Sequence, residues 1–175
     1  RGVAPRPALS TALTTNAPTL LVVQHIDRES PDLVAEIALE QGMVVHTIRP
    51  DQGEPLPDPI STKNTIAVLL GGPMSVGDRH QDGMAWMQRE LDWLALWHQQ
   101  NNPVLGICLG AQLLAVAAGG AVQPLRVGLP PQPLKEVGYG AIHWLMTPSI
   151  ETLLMGLQPS EMVLHWHGDR IQLPQ

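Results

Sequence analysis

The sequence has a single cysteine, Cys108, among its 175 residues. A disulfide within the chain is therefore excluded, and a cytoplasmic location is the expectation, because thiols stay reduced there. Basic residues are scarce as well: 10 Lys and Arg stand against 16 Asp and Glu, for a net charge of -6. They form no cluster, so direct nucleic-acid binding, which needs a basic stripe or patch, is not expected. No apolar run approaches the roughly 20 residues that span a bilayer. The runs at 65–70 and 104–108 are strand-sized, so no membrane role is expected. The first eighteen residues lack the continuous apolar region of a signal peptide and are rich in Pro, Ala and Thr. Internal repeats are missing, and so is low-complexity sequence beyond that first stretch.

What is present is a globular composition, 44% hydrophobic and 15% charged, which excludes a disordered chain. The length suits one domain. We expect a mobile N-terminal arm over 1–18 and one domain over 19–175. Residues 20–24 read as a buried first strand. Ser30-Pro31 then opens a helix, with Ser30 as N-cap and Leu33, Ile37 and Leu39 as its apolar side. Gly42 closes it. Residues 43–48 read as the second strand, and 50–59, with four prolines, as a loop. Residues 65–70 form the third strand and end at Gly71-Gly72-Pro73. The longest helical pattern covers 84–100, where Trp86, Leu91, Leu94 and Trp97 recur at helical spacing. The fourth strand, 103–107, runs straight into Cys108-Leu109-Gly110, and a helix follows over 112–118. A proline-rich turn at 129–133, strands at 137–144 and 162–165, and a short helix near 149–155 complete the reading.

Strands alternating with helices predict an α/β fold, flavodoxin-like, with a mostly parallel sheet and helices on both faces. Ligands of such sheets sit at the carboxyl ends of the strands. Gly71-Gly72-Pro73 and Cys108 both fall there.

Gly106-Ile107-Cys108-Leu109-Gly110 has the layout of a nucleophile elbow: strand, sharp turn, helix. Flanking glycines allow the bend, and a helix N-terminus favours the thiolate that attacks carbonyl carbon. A lone cysteine without that context reads as a small buried hydrophobe. Gly71-Gly72-Pro73 alone reads as a plain turn, and Gln112 alone as a solvated helix residue.

In combination these segments resemble a known family. Gly106-Ile107-Cys108-Leu109-Gly110-Ala111-Gln112-Leu113 is similar to the nucleophile motif of class I glutamine amidotransferases. Leu70-Gly71-Gly72-Pro73-Met74-Ser75 resembles their oxyanion-loop motif. Lys135-Glu136-Val137-Gly138 and Trp166-His167-Gly168-Asp169 resemble later motifs of a GMP-synthase-like subgroup, and Ala111 fits that subgroup. The motifs keep family order over about 20–169. The resemblance implies hydrolysis of the glutamine side-chain amide to glutamate and ammonia through a thioester on Cys108. It implies oxyanion donors at the backbone N–H groups of Gly72 and Leu109, and a glutamine pocket shaped by Gln112, Trp166, His167, Gly168 and Asp169. It implies transfer of the ammonia to a synthetase domain or subunit, and the expectation for this sequence is a separate synthetase subunit. The hydrolysis calls for no cofactor and no metal. His165 and His167 alternate on a strand and share a face, but no third metal ligand is in evidence in the sequence. His25, His46, His80, His98 and His143 share no motif and read as structural or solvated.

The family's catalytic His-x-Glu lies on a later strand, and nothing of that form follows Asp169. The expectation is a domain incomplete at its C-terminal end. The competing readings are a relative that binds glutamine or regulates a partner without hydrolysis, and an enzyme in which His167 or His165 serves as base. A cysteine hydrolase for another γ-glutamyl compound also fits the elbow.

Overall fold

The computed structural model describes residues 17–145 and 147–174. The N-terminal arm, apart from Ala17 and Pro18, lies outside the described residues. The central sheet has four parallel strands, β1 (Thr19–Val23), β2 (Val44–Ile48), β3 (Thr65–Leu69) and β4 (Val104–Gly106), in the order β2-β1-β3-β4. Three helices cover it: α1 (Asp32–Glu40), α2 (Ala85–Gln99) and α3 (Leu109–Ala117). The fold is α/β and flavodoxin-like, in agreement with the sequence.

Alternation along the strands divides the core in two. Leu21 and Val23 of β1 and Ala67 and Leu69 of β3 point to the side of α2 and α3, where Trp86, Leu91, Leu94 and Trp97 pack against them. Leu20, Val22, Val68 and Leu70 point the other way, toward α1. The sequence predicted the inward face of α2 correctly and that of α1 incorrectly. Leu33, Ile37 and Leu39 are exposed, and Val34 and Ala38 meet the sheet instead. Ser30 does not cap α1 either; its hydroxyl goes to the Asp32 carboxylate.

The last third is antiparallel. Strand β5 (Ala121–Pro124) follows α3, and β6 (Arg126–Val127) pairs with β7 (Gln132–Pro133) around the proline-rich turn. Strand β8 (Glu136–His143), the short helix α4 (Pro148–Glu151) and β9 (Ser160–His167) follow. β8 and β9 pair from Glu136 opposite His167 to His143 opposite Ser160. Strand β10 (Asp169–Gln172) then returns to pair with β5. This return brings the Trp166–Asp169 segment back to the carboxyl ends of the central strands.

Candidate functional site

The strand order places three chain segments side by side. Gln24-His25 leaves β1, Leu70-Gly71-Gly72 leaves β3, and Ile107-Cys108 leaves β4. The chain passes from β2 across β1 to β3, so the crevice lies where the strand order reverses, the usual ligand position in such sheets.

Cys108 has φ 53° and ψ -110°, outside the ordinary regions for a residue with a Cβ, and α3 begins at the next residue. Two hydrogen bonds to β3's end hold this turn: Ile107 N–H to the Leu69 carbonyl at 2.9 Å and Gly110 N–H to the Leu70 carbonyl at 3.1 Å. Glycine is required on both sides. A Cβ on Gly106 would stand 2.5 Å from the Ala111 nitrogen, and one on Gly110 would collide with the Leu69 carbonyl. The turn leaves the Cys108 side chain exposed.

The thiol faces a cleft of about 580 Å³ whose lining includes Gly72, Leu109, Gln112, Trp166 and Asp169. A second cavity of about 490 Å³ also borders on Cys108 and Gln112 and extends to His165 and Glu136. The Leu109 N–H faces the sulfur. The Gly72 N–H has no acceptor among the described residues. Gln112 lies one helical turn beyond Cys108, is buried, and its Oε1 has no hydrogen-bond partner among the described residues. From the far side, Asp169 accepts a hydrogen bond from the Ser75 hydroxyl at 3.2 Å, which joins the Gly-Gly-Pro loop to the start of β10. Trp166 and Gly168 complete that wall. The structure thus brings together every residue that the sequence nominated.

The electrostatics differ from the expectation of an activated thiolate. Burial pushes the Cys108 thiol pKa up, and the negative charges of Glu29 and Asp169 add to it; the Leu109 N–H pulls in the other direction without prevailing. A helix terminus acts over about its first turn, and here partial desolvation outweighs it. No cation among the described residues bears on the sulfur. His167 is tied at both nitrogens, with Nδ1–H donating to the Asp169 carbonyl at 3.0 Å and Nε2 lying 3.1 Å from Glu136 Oε2. His165 Nδ1 lies 3.6 Å from the same oxygen and 3.4 Å from His167 Nε2. Glu136, His165 and His167 form the one cluster among the described residues that could hold a metal ion. The sequence hid its third member, because Glu136 stands on the partner strand opposite His167. A carboxylate shared by two imidazoles accounts for the convergence without an ion.

Three residues at this site escaped sequence reasoning. Glu29 reaches from the loop after β1, where its carboxylate lies against Gly71. His25 is fully buried, with Nδ1 2.9 Å from the Gly71 carbonyl and Nε2 3.0 Å from Glu90 Oε1. Burial by itself lowers the His25 pKa, but the hydrogen bond and charge of Glu90, with help from the Gly71 carbonyl and Asp51, leave it raised. One signal was in the sequence: Glu90 falls on the same face of α2 as Trp86, Trp93, Leu94 and Trp97. A carboxylate inside an apolar stripe needs a partner.

Comparison with known proteins bears on this cleft. Residues 33–175 match the family model described as glutamine amidotransferase class-I. A glutamine-hydrolysing GMP synthase of Porphyromonas gingivalis is 35% identical over 121 residues, 69% of this chain and 20% of that protein. The glutamine amidotransferase-like protein YfeJ of Salmonella typhimurium is 28% identical over 148 residues, covering 84% of this chain and 59% of the relative. The chain thus spans about a fifth to three fifths of the length of these curated relatives. Among solved structures, a glutamine amidotransferase of Thermotoga maritima superposes with a TM-score of 0.76 at 23% identity, over 90% of this chain and 64% of that one. One from Methylobacillus flagellatus gives 0.70 at 26% identity, over 90% and 57%. No helix among the described residues is long and apolar enough to cross a membrane.

Proposed function

Because this chain belongs to the class-I glutamine amidotransferase family, we propose that it hydrolyses the side-chain amide of glutamine to glutamate and ammonia, with Cys108 as nucleophile. The observation that carries the reading is Cys108 itself. Its strained backbone aims a thiol into a cleft that also presents the N–H of Gly72, unpaired among the described residues, and the N–H of Leu109. Attack by the sulfur on the amide carbon forms a C–S bond and moves an electron pair onto the oxygen. Two preorganised N–H donors stabilise that oxyanion, each worth about 3 kcal/mol. The proton given up by the thiol passes to the amide nitrogen, so that collapse breaks the C–N bond, releases ammonia and leaves a γ-glutamyl thioester. Water then cleaves the thioester, which releases glutamate and restores the thiol.

The amino-acid end of the substrate lies between Gln112 and the Trp166–Asp169 segment. The buried Oε1 of Gln112 can accept a hydrogen bond, and the Asp169 carboxylate suits an ammonium group. His167, with Gly168 beside it, shapes this pocket. Both of its ring nitrogens are already engaged, which argues against it as the proton acceptor for Cys108. The ammonia passes to a synthetase domain or subunit; the similarity to a glutamine-hydrolysing GMP synthase supports an acceptor of that kind. A cytoplasmic location belongs to the same proposal.

The test is ammonia release from L-glutamine, with Cys108→Ala as control. The expected result is release that the substitution abolishes. Silence from the folded protein would contradict hydrolysis. A second reading, a module that binds glutamine without cleaving it, draws on the raised pKa of the thiol and the lack of a cation beside it among the described residues. Calorimetric binding of glutamine with no ammonia release would select it.

A further inference from the structure

The Gly71–Gly72 peptide is the part of the cleft least able to hold its own orientation. Glycine adopts both signs of φ at little cost, so a peptide flanked by two glycines can flip end over end. In one orientation its N–H faces the cleft, and in the other its carbonyl does. A carbonyl there would repel an oxyanion instead of stabilising it.

One contact selects between these orientations. The Gly71 carbonyl lies 2.9 Å from His25 Nδ1. A carbonyl only accepts, so Nδ1 carries the proton and donates it. In a trans peptide the C=O and the following N–H point in opposite directions, and the only cis bond among the described residues is Leu129–Pro130. With its oxygen held toward His25, the peptide turns the Gly72 N–H away from His25. That N–H has no acceptor in the described protein, and Gly72 lines the cleft with Cys108 and Leu109. Gly71 itself lies close to the thiol residue: a Cβ built on it would stand 3.5 Å from the Cys108 Cβ.

The imidazole is fixed in turn. Nε2 lies 3.0 and 3.2 Å from the two carboxylate oxygens of Glu90, and the ring stacks on Trp86 at a centroid distance of 5.6 Å. The His25 and Glu90 side chains are both wholly buried. A buried pair of this kind is weak evidence for stability, since apolar residues of similar size often serve as well. What an apolar residue could not supply is a donor aimed at the Gly71 carbonyl.

We propose that His25, braced by Glu90, is a positioning residue that holds the Gly71–Gly72 peptide with its N–H turned into the cleft, so that the oxyanion donor exists before substrate arrives. The inference rests on the glutamine-hydrolysis reading for its purpose but not for its geometry.

The experiment uses two variants. His25→Asn keeps a side-chain N–H near the position of Nδ1; His25→Leu has none. Crystal structures report the orientation of the Gly71–Gly72 peptide, and Cys108 is titrated with two reagents. The chloromethyl ketone analogue of glutamine is attacked at its carbonyl and needs the oxyanion donors, whereas iodoacetamide loses iodide by direct displacement and does not. His25→Leu should release the Gly71 carbonyl and slow the ketone about 100-fold, the effect of losing one oxyanion donor, while the iodoacetamide rate stays unchanged. His25→Asn should restore most of the ketone rate and the peptide orientation. A His25→Leu crystal structure with the peptide unmoved would overturn the proposal, as would equal slowing of both reagents. Where His25→Leu does not fold, His25→Asn decides: a flipped peptide in it overturns the proposal and a retained one supports it. Parent protein that reacts with iodoacetamide but ignores the ketone would speak against the glutamine reading, and the peptide orientation in the variants would still decide the role of His25.

Discussion

A side chain held at φ 53°, as Cys108's is, costs about 1–3 kcal/mol, a strain that stable folds tolerate where a group must project from a turn. Cys108→Gly should relieve it. We expect that variant to be more stable than Cys108→Ala by about 1 kcal/mol in urea unfolding, despite the greater freedom of glycine in the unfolded chain. The thiol's environment makes a second prediction. Its pKa is raised by burial and by the charges of Glu29 and Asp169, so alkylation by iodoacetamide should climb only above the ordinary thiol range of about 8.5. Glu29→Gln removes one of those charges and should move the profile to lower pH; an unchanged profile would show that Glu29 does not act on the sulfur. The His25–Glu90 pair has the opposite linkage. His25 binds its proton more tightly in the folded state than in the unfolded one. Its contribution to stability is complete below the unfolded value of about 6.5 and is lost as pH rises through the higher folded value. Urea midpoints measured across that window should fall toward alkaline pH, and Glu90→Gln should flatten the fall.

Among the elements, α2 and α1 make a useful contrast. Trp97 on α2 is fully buried in the larger core, and Trp97→Ala should cost about 3–5 kcal/mol. Leu33 on α1 is exposed, and Leu33→Ala should change stability by less than about 0.5 kcal/mol. A large loss at Leu33 would restore the face of α1 that the sequence suggested. That face was misread because two stripes of α1 are apolar, Leu33 with Ile37 and Val34 with Ala38, each at helical spacing. Spacing cannot choose between neighbouring stripes, whereas packing can: the small Ala38 lets the helix lie close on Leu20 and Val68. Strands β1 and β3 were legible because they are apolar runs, buried on both faces over Leu20–Val23 and Ala67–Leu69. The turn at Cys108 was legible because its geometry demands glycine at 106 and 110. Strands β5 and β10 were not, since each has four residues of mixed character and finds its partner far away in sequence. The role of His25 was hidden for a similar reason. It depends on the end of β1, the loop after β3 and the buried face of α2 meeting at one point.

Taken whole, the molecule leaves much apolar surface uncovered. Val137, Tyr139, Met162, Leu164 and Trp166 share one face of the β8–β9 pair and are all exposed. On the α1 side of the sheet, Ile66, Leu105 and Ile107 are exposed as well, and the outer edge of β4 is unpaired among the described residues. Such surfaces drive association, so light scattering should find this chain self-associated in solution; a monodisperse monomer would contradict that. Within this frame, the carboxyl ends of β3 and β4 and the returning segment between β9 and β10 border the cleft that the one thiol faces. The central claim is that this cleft takes a glutamine side chain and presents it to Cys108. The most direct test is mass spectrometry of the chain after incubation with the chloromethyl ketone analogue of glutamine, with and without L-glutamine as competitor. The account predicts one adduct, on Cys108, whose formation glutamine slows. An adduct that forms at the same rate with glutamine present, or no adduct while iodoacetamide still reacts, would contradict it.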